Sequence, residues 1–160
     1  MKQHEQSFNS KILLFGEYSI IQDSMGLTLP YNEFKGKLTY DTAAINEHFV
    51  TESNDHLNDF ANYLQHLIDT QQLAVVFDIQ AFKTDIKKGI YFQSSIPQGF
   101  GVGSSGALVA AVYGKYVAHK IDFENAPNKQ AILELKAVFA KMESHFHGNS
   151  SGVDPLICYL

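Results

Sequence analysis

The 160-residue chain has a length typical of one domain, and 45% of its residues are hydrophobic, enough to form a core. Its formal net charge of −5 argues against a nucleic-acid-binding surface, and its single cysteine, Cys158, excludes an internal disulfide and fits a reducing compartment. The polar first ten residues predict no signal peptide and the apolar runs are too short to span a membrane, so we expect a cytoplasmic protein without a membrane partner.

The first part of the chain predicts strands around one helix. Four segments carry the apolar runs expected of strands: 11–21, 36–40, 73–79 and 90–96. The first is interrupted by Gly16, and the last is ended by Pro97. Between 55 and 71 the apolar residues fall on one helical face, and Asn54 is a suitable N-cap, so we predict a helix there.

The second part predicts two more helices and a terminal strand. One helix begins at Ser104 or Ser105 and reaches about His119, and another covers about 129–145 after Pro127. The apolar run 156–160 predicts a last strand, either interrupted or complete at an edge. The order of strands, helix, strands, helix and helix predicts a mixed α+β domain.

The segment 97–107 alternates glycines with other residues between a predicted strand and a predicted helix. Glycines allow positive φ angles and a close approach of the main chain to a ligand. Amides of this loop and of the helix N-terminus would then point at an anion, which binds phosphate without lysines. The hydroxyls of Ser104 and Ser105 could reach a phosphate or a Mg²⁺ ion. The Walker A ending Gly-Lys-Ser/Thr is absent.

Two alternatives remain for this loop. Gly101, Gly103 and Gly106 match the spacing of a dinucleotide-binding loop, and Asp122 follows at about the distance of a ribose-binding acid. That interpretation predicts a dinucleotide-dependent oxidoreductase, although the segment around Asp122 is short for a strand. In the other alternative, the glycines only permit tight packing in a turn.

A loop of small residues, 147–154, follows the last predicted long helix and ends at Asp154. A carboxylate presented there could orient an attacking hydroxyl or accept its proton. An Asx turn before Pro155 explains the same residues without any function.

Lys11 begins the first predicted strand, where a solvated strand end is its ordinary role. Glu17 lies in an apolar stretch, where an acid is costly unless it is paired.

Glu143 falls on the apolar face of its predicted helix, four residues after Phe139. A carboxylate in that position needs a cation, either Mg²⁺ or a lysine or arginine in a structural ion pair. His145 and His147 raise the alternative of a zinc site, but two histidines and one acid make a poor tetrahedral set. A helix C-terminal cap and a loop residue are the ordinary roles of these histidines.

Three segments resemble, in order, the motifs of the GHMP kinases: 11–18, 97–107 and 147–154. The third is similar to the loop of mevalonate kinases, in a branch that we associate with Bacteroidetes-type bacteria. The resemblance implies a ribosomal protein S5 domain 2-like fold, with a mixed sheet packed against helices. It also implies transfer of the γ-phosphate of ATP, with Mg²⁺, to a hydroxyl of mevalonate or another small molecule such as phosphomevalonate or a sugar.

The resemblance implies a role for each matching position. Asp154 would be the catalytic carboxylate facing the substrate hydroxyl, and Lys11 beside it would stabilise the nucleophile. Ser105 and Glu143 would ligate Mg²⁺. Glu17 and Tyr18 would contact the acceptor. The triphosphate would be bound along the glycine loop by Pro97, Gly99, Gly101, Gly103, Ser104, Ser105 and Gly106.

The chain departs from the family pattern in two positions and in length. Tyr18 replaces a histidine, which affects the acceptor pocket, and Ser150 replaces a proline, which we expect to change only backbone rigidity. Nothing matches the third glycine-rich motif of a second domain, so residues 1–160 are expected to be an N-terminal, phosphate-binding domain that turns over ATP poorly alone. An exposed face where the second domain would pack could drive homodimerisation. A non-catalytic binding module is a further alternative.

Overall fold

The computed structural model describes residues 5–15, 26–41, 46–120 and 128–160, which form an α+β domain, as predicted. Three strands and five helices lie in this described part. No described helix has both the length and the apolar character needed to cross a lipid bilayer. In chain order the elements are β1 (Ser7–Phe15), β2 (Leu27–Thr39), α1 (Glu47–Asp69), α2 (Ile79–Lys87), β3 (Tyr91–Ser94), α3 (Ser104–Tyr116), α4 (Lys129–His147) and α5 (Val153–Tyr159).

The sheet is antiparallel, with β2 between β1 and β3. Phe8 of β1 and Ser94 of β3 both pair with Gly36, which fixes the register of the three strands. Gly36 is required there because a Cβ atom would overlap the Phe92 ring. Both described strand pairs are antiparallel, whereas a dinucleotide-binding domain is built from parallel βαβ units, so the sheet does not support the oxidoreductase interpretation.

Helix α3 is the centre of the core and packs against β1, β2, α2, α4 and α5. Small residues on its surface allow this close approach. At Gly114, an added Cβ would lie 2.9 Å from Cζ of Phe8. The helix therefore lies close to the sheet. Its N-cap residue, Gly103, makes no side-chain capping hydrogen bond.

Helix α1 begins eight residues before the predicted start at Asp55. Asn46 is its N-cap, because the side-chain oxygen accepts a hydrogen bond from the His48 amide at 2.9 Å. The predicted cap, Asn54, lies inside the helix, and its side-chain amide donates to the carbonyls of Ile86 and Ile90 at 2.9 and 3.0 Å. The predicted N-cap was therefore wrong, because Asn54 makes tertiary hydrogen bonds and does not cap the helix.

The strand predicted at 73–79 is wrong, and helix α2 was missed. Phe77 makes one isolated bridge to Val117, and the chain then turns into α2. Asp78 caps this helix by accepting a hydrogen bond from the Ala81 amide at 2.9 Å. A short apolar run does not distinguish a strand from a segment buried by tertiary contacts.

The terminal strand predicted at 156–160 is also wrong, because these residues belong mainly to α5. Gly152, with a φ of 73°, allows the chain to enter the helix, and Leu156 donates to the Gly152 carbonyl at 3.3 Å. Leu156 and Cys158 are buried. The other strands and helices agree with prediction in type, although the bounds differ. Strand β1 begins four residues before the predicted segment and β2 nine residues before it, and residues 16–21 lie outside the described part.

Candidate active site

A cleft of about 1170 Å³ lies where β1, the glycine loop, α1, α4 and the start of α5 meet. It brings together residues far apart in sequence, from Lys11 to Asp154. The predicted phosphate loop lines it from Pro97 to Ser105, and Glu143 lines it from α4. Most of the residues singled out from the sequence therefore share one cavity.

The glycine loop has the backbone conformation that only glycine adopts easily. Gly99, Gly101 and Gly103 have φ angles of 80°, 67° and 86°. The loop is anchored to β1, because the Lys11 amide donates to the Val102 carbonyl at 3.1 Å. Helix α3 begins directly after it, with Gly103 as an N-cap that offers no side-chain acceptor to the first-turn amides. These amides are therefore suited to bind an anion at the cleft.

Lys11 and Asp154 form an ion pair at the rim of this loop. Lys11 Nζ lies 2.8 Å from Asp154 Oδ2, with the two side chains 3% and 32% exposed. Gly106 allows this arrangement, because a Cβ atom there would lie 2.9 Å from the carbonyl carbon of Asp154. The buried lysine thus holds a carboxylate that still faces the cleft.

Glu143 is a buried carboxylate, 3% exposed, and both of its oxygens accept hydrogen bonds from hydroxyls. Ser105 Oγ donates to Oε1 at 3.1 Å, and Ser150 Oγ donates to Oε2 at 2.5 Å. Among the residues that the structure describes, no ion pair involves Glu143. Burial raises its pKa to about 7, helped by the nearby charge of Asp154 and opposed by the two serines and Lys11.

A comparison with protein-family models identifies the N-terminal domain of the GHMP kinases, matched over residues 59–160. This match spans more than half of the chain and includes the glycine loop, Glu143 and Asp154. The chain belongs to the GHMP kinase family. Its members are ATP-dependent kinases, which agrees with the phosphate-binding loop and with the fold. No curated protein sequence matches the chain.

The donor set around Glu143 suits the Mg²⁺ ion that GHMP kinases generally use with ATP. The Glu143 carboxylate is buried, has no cation partner among the described residues and lies beside the Ser105 hydroxyl, so that both offer oxygen ligands at the cleft. The described residues contain no group of three or more His, Cys, Asp or Glu side chains able to hold a metal alone. A Mg²⁺ ion would therefore take its remaining ligands from phosphates and water, as is usual for this ion.

The two histidines near the end of α4 have separate environments. His145 packs against the rings of Phe60 and Tyr63, with centroids 5.3 and 5.1 Å away, and burial lowers its pKa. His147 lines the cleft, with Nε2 2.9 Å from Ser105 Oγ. The sequence interpretation of His147 as an ordinary loop residue missed this contact with a predicted metal ligand.

The contacts of Ser150 in this GHMP kinase also differ from those expected from the sequence. From the sequence, a serine in place of proline was expected to change only backbone rigidity. Its hydroxyl instead binds Glu143 and accepts a hydrogen bond from the Gly152 amide at 3.0 Å. No local sequence signal reveals that contact, because it depends on how the loop folds back on α4.

Of the predicted site residues that the structure describes, one does not line the cleft. Glu17 and Tyr18, the predicted acceptor contacts, lie outside the described residues, as does Asp122. Gly106 lies under α5 instead of lining the cleft. Pro97, Gly99, Gly101, Gly103, Ser104 and Ser105 all line it.

One face of α1 also lines the cleft and was not expected there. Its residues follow helical spacing and are Phe49, Glu52, Ser53, His56 and Leu57. Ser53 additionally connects α1 to β3, because its hydroxyl accepts a hydrogen bond from the Phe92 amide at 3.0 Å. The helical spacing is visible in the sequence, but the start predicted for α1 at residue 55 left three of the five residues outside the helix.

Proposed function

We propose that this GHMP kinase domain transfers the γ-phosphate of ATP to a hydroxyl of mevalonate, forming 5-phosphomevalonate. The proposal is carried by one observation: a buried lysine holds the Asp154 carboxylate at the cleft lined by the glycine loop. Mevalonate is chosen over phosphomevalonate or a sugar because residues 147–154 resemble the mevalonate-kinase loop.

Phosphate binding would depend on the main chain more than on lysines. The chain is acidic, with a net charge of −5, so long-range attraction does not favour a polyphosphate. The glycine loop and the start of α3 supply amides and the positive end of the helix dipole instead. This arrangement supports ATP as the phosphate donor.

Ser105 and Glu143 would hold Mg²⁺, which supplies charge neutralisation for the phosphate oxygens when it is bound. Ser105 Oγ and Glu143 Oε1 are 3.1 Å apart, so both can reach one ion after the Ser105 hydroxyl turns its proton away. The two residues come from α3 and α4, whose packing fixes their separation.

Asp154 would orient the acceptor hydroxyl and accept its proton. The hydroxyl oxygen then forms a bond to the γ-phosphorus while the bond from that phosphorus to the β,γ-bridging oxygen breaks, and ADP leaves. Lys11, fixed by its 2.8 Å contact with Asp154, would hold this carboxylate in position and stabilise negative charge on the attacking oxygen.

A coupled assay of ADP release by the full-length gene product tests the proposal with mevalonate, phosphomevalonate, homoserine and galactose as acceptors. We expect the highest kcat/KM with mevalonate. A higher kcat/KM with another acceptor would change the proposed substrate but would still support kinase activity. Binding of ATP without transfer to any acceptor would instead support a non-catalytic binding module.

A further inference from the structure

The Ser150 hydroxyl lies between the loop 148–152 and the Glu143 carboxylate. It accepts a hydrogen bond from the Gly152 amide at 3.0 Å and donates one to Glu143 Oε2 at 2.5 Å. A serine hydroxyl has one proton to donate. Because the Gly152 amide occupies an acceptor position, the orientation of Ser150 leaves that proton for the carboxylate.

The loop itself is fixed against α4. At Gly152, which is buried and has a φ of 73°, a Cβ atom would overlap the Lys136 carbonyl and lie 2.6 Å from the Ala140 nitrogen. No other residue fits without displacing this contact. Ser150 is thus held by the same helix that carries Glu143, and the loop continues directly into Asp154.

The other oxygen of Glu143 is held from a different direction. Ser105 donates to Oε1 at 3.1 Å from the first turn of α3, and His147 Nε2 lies 2.9 Å from the Ser105 oxygen. Two hydroxyls on opposite oxygens oppose rotation of the carboxylate. If a metal replaces the Ser105 contact, Ser150 remains as the hydrogen bond that holds the carboxylate.

We propose that Ser150 is a positioning residue that orients the Glu143 carboxylate for metal binding and ties it to the loop presenting Asp154. The inference rests on the proposed function, since it requires the metal site formed by Ser105 and Glu143. It assigns to this chain a hydrogen bond that a proline at position 150, as in the motif that this loop resembles, is unable to make.

The test measures Mn²⁺ affinity by electron paramagnetic resonance, with β,γ-imido-ATP present, for the wild-type chain and variants. We expect Ser150→Ala to weaken Mn²⁺ binding about 10-fold, the size typical for loss of a hydrogen bond behind a metal ligand. Ser150→Thr keeps the hydroxyl and should restore most of the affinity. In turnover assays, Ser150→Ala should raise the Mg²⁺ concentration for half-maximal rate more than the KM for mevalonate.

Ser151→Ala is the matched control, because the Ser151 hydroxyl accepts a hydrogen bond from the Val153 amide at 3.4 Å and does not contact Glu143. Equal Mn²⁺ affinity in Ser150→Ala and wild type, or an equal loss in Ser151→Ala, would overturn the inference. If Ser150→Ala does not fold, the isosteric pair Ser150→Thr and Ser150→Val makes the same comparison. Absence of Mn²⁺ binding by the wild-type chain would instead remove the metal site of the proposed function, and the role of Ser150 with it.

Discussion

Lys11 Nζ lies 2.8 Å from Asp154 Oδ2 and connects strand β1 to the first turn of α5. The pair is asymmetric, because the lysine is 3% exposed whereas the aspartate is 32% exposed and lines the cleft. A carboxylate in a purely structural ion pair can be fully buried, whereas one that acts on a substrate must be exposed to the cleft. Replacing the aspartate should therefore affect chemistry more than folding.

We expect Asp154→Asn to lower kcat by about 100-fold to 10,000-fold, the range typical for loss of a general base. The substitution keeps the size of the side chain and its contact with Lys11, so ATP binding should change little. Coupled ADP release gives kcat, and calorimetry with β,γ-imido-ATP gives the affinity for nucleotide.

Asp85→Asn is the control for that substitution. Asp85 also pairs with lysines, with Lys115 at 3.4 Å and Lys88 at 3.7 Å, but it lies outside the cleft. We expect an unchanged kcat in this variant. Equal kcat in Asp154→Asn and the wild type would remove Asp154 from the mechanism.

The parts of the fold that the sequence predicted well are those with strong local chemistry. The glycine loop and α3 were predicted because alternating glycines before small and apolar residues have few structural solutions. The burial of Glu143 was predicted from its spacing of four residues from Phe139, which places both on one helical face. The pairing of Lys11 with Asp154 was expected only from the family resemblance.

The predictions that failed concern residues whose structure depends on tertiary contacts. Helix α5 was expected to be a strand because five apolar residues carry no periodicity that distinguishes the two. Asn54 was assigned to a cap, although its amide binds carbonyls of Ile86 and Ile90. The Ser150 contact was missed for the same reason, since Gly152 sets the path of the loop by packing on α4.

Gly106→Ala should affect both stability and catalysis. The added Cβ would meet the main chain of Asp154 and Pro155 at 2.9 to 3.1 Å, so α3 and α5 must separate. Overpacking of this kind costs about 1–3 kcal/mol of unfolding free energy. Because α5 carries Asp154, we also expect a fall in kcat, measured under conditions in which the variant is fully folded by circular dichroism.

Gly114→Ala tests whether that fall in kcat is specific. Gly114 lies on the same helix, and its added Cβ would meet Cζ of Phe8 at 2.9 Å, away from the cleft. A loss of stability no larger than that of Gly106→Ala is expected, because the clash is with the end of a side chain, and kcat should not change. A fall in kcat in both variants would mean that loosening of α3, rather than displacement of Asp154, limits turnover.

Cys158 should react slowly with thiol reagents in the native protein. It is 5% exposed and its Sγ lies 3.8 Å from the Gly103 carbonyl, while burial raises the pKa of the thiol to about 12. The thiolate, which is the reactive species, is therefore scarce near neutral pH. Colour development with Ellman's reagent should be slow for the folded chain and rapid in denaturant. Equal rates in the two states would contradict the packing of α5 described here.

Glu143 should make stability depend on pH in the metal-free protein. Burial raises its pKa in the folded state to about 7, from an ordinary value of 4.5. The folded state therefore keeps a proton that the unfolded state releases, and stability falls as pH rises from about 4.5 to about 7. Above that range the loss is complete and no longer changes with pH. Urea unfolding at a series of pH values measures this slope.

Glu143→Gln should remove this slope and make the chain more stable than the wild type near pH 8, because no charge is then buried. His145 contributes with the opposite sign, since burial lowers its pKa, but it does so in both proteins. The difference between the two unfolding curves therefore isolates the contribution of Glu143.

Glu134→Gln is the control, at an exposed position of the same helix α4, and should keep the wild-type dependence of stability on pH. A wild-type stability that does not fall relative to Glu143→Gln across this range would contradict the burial of a carboxylate that has no ion-pair partner among the described residues.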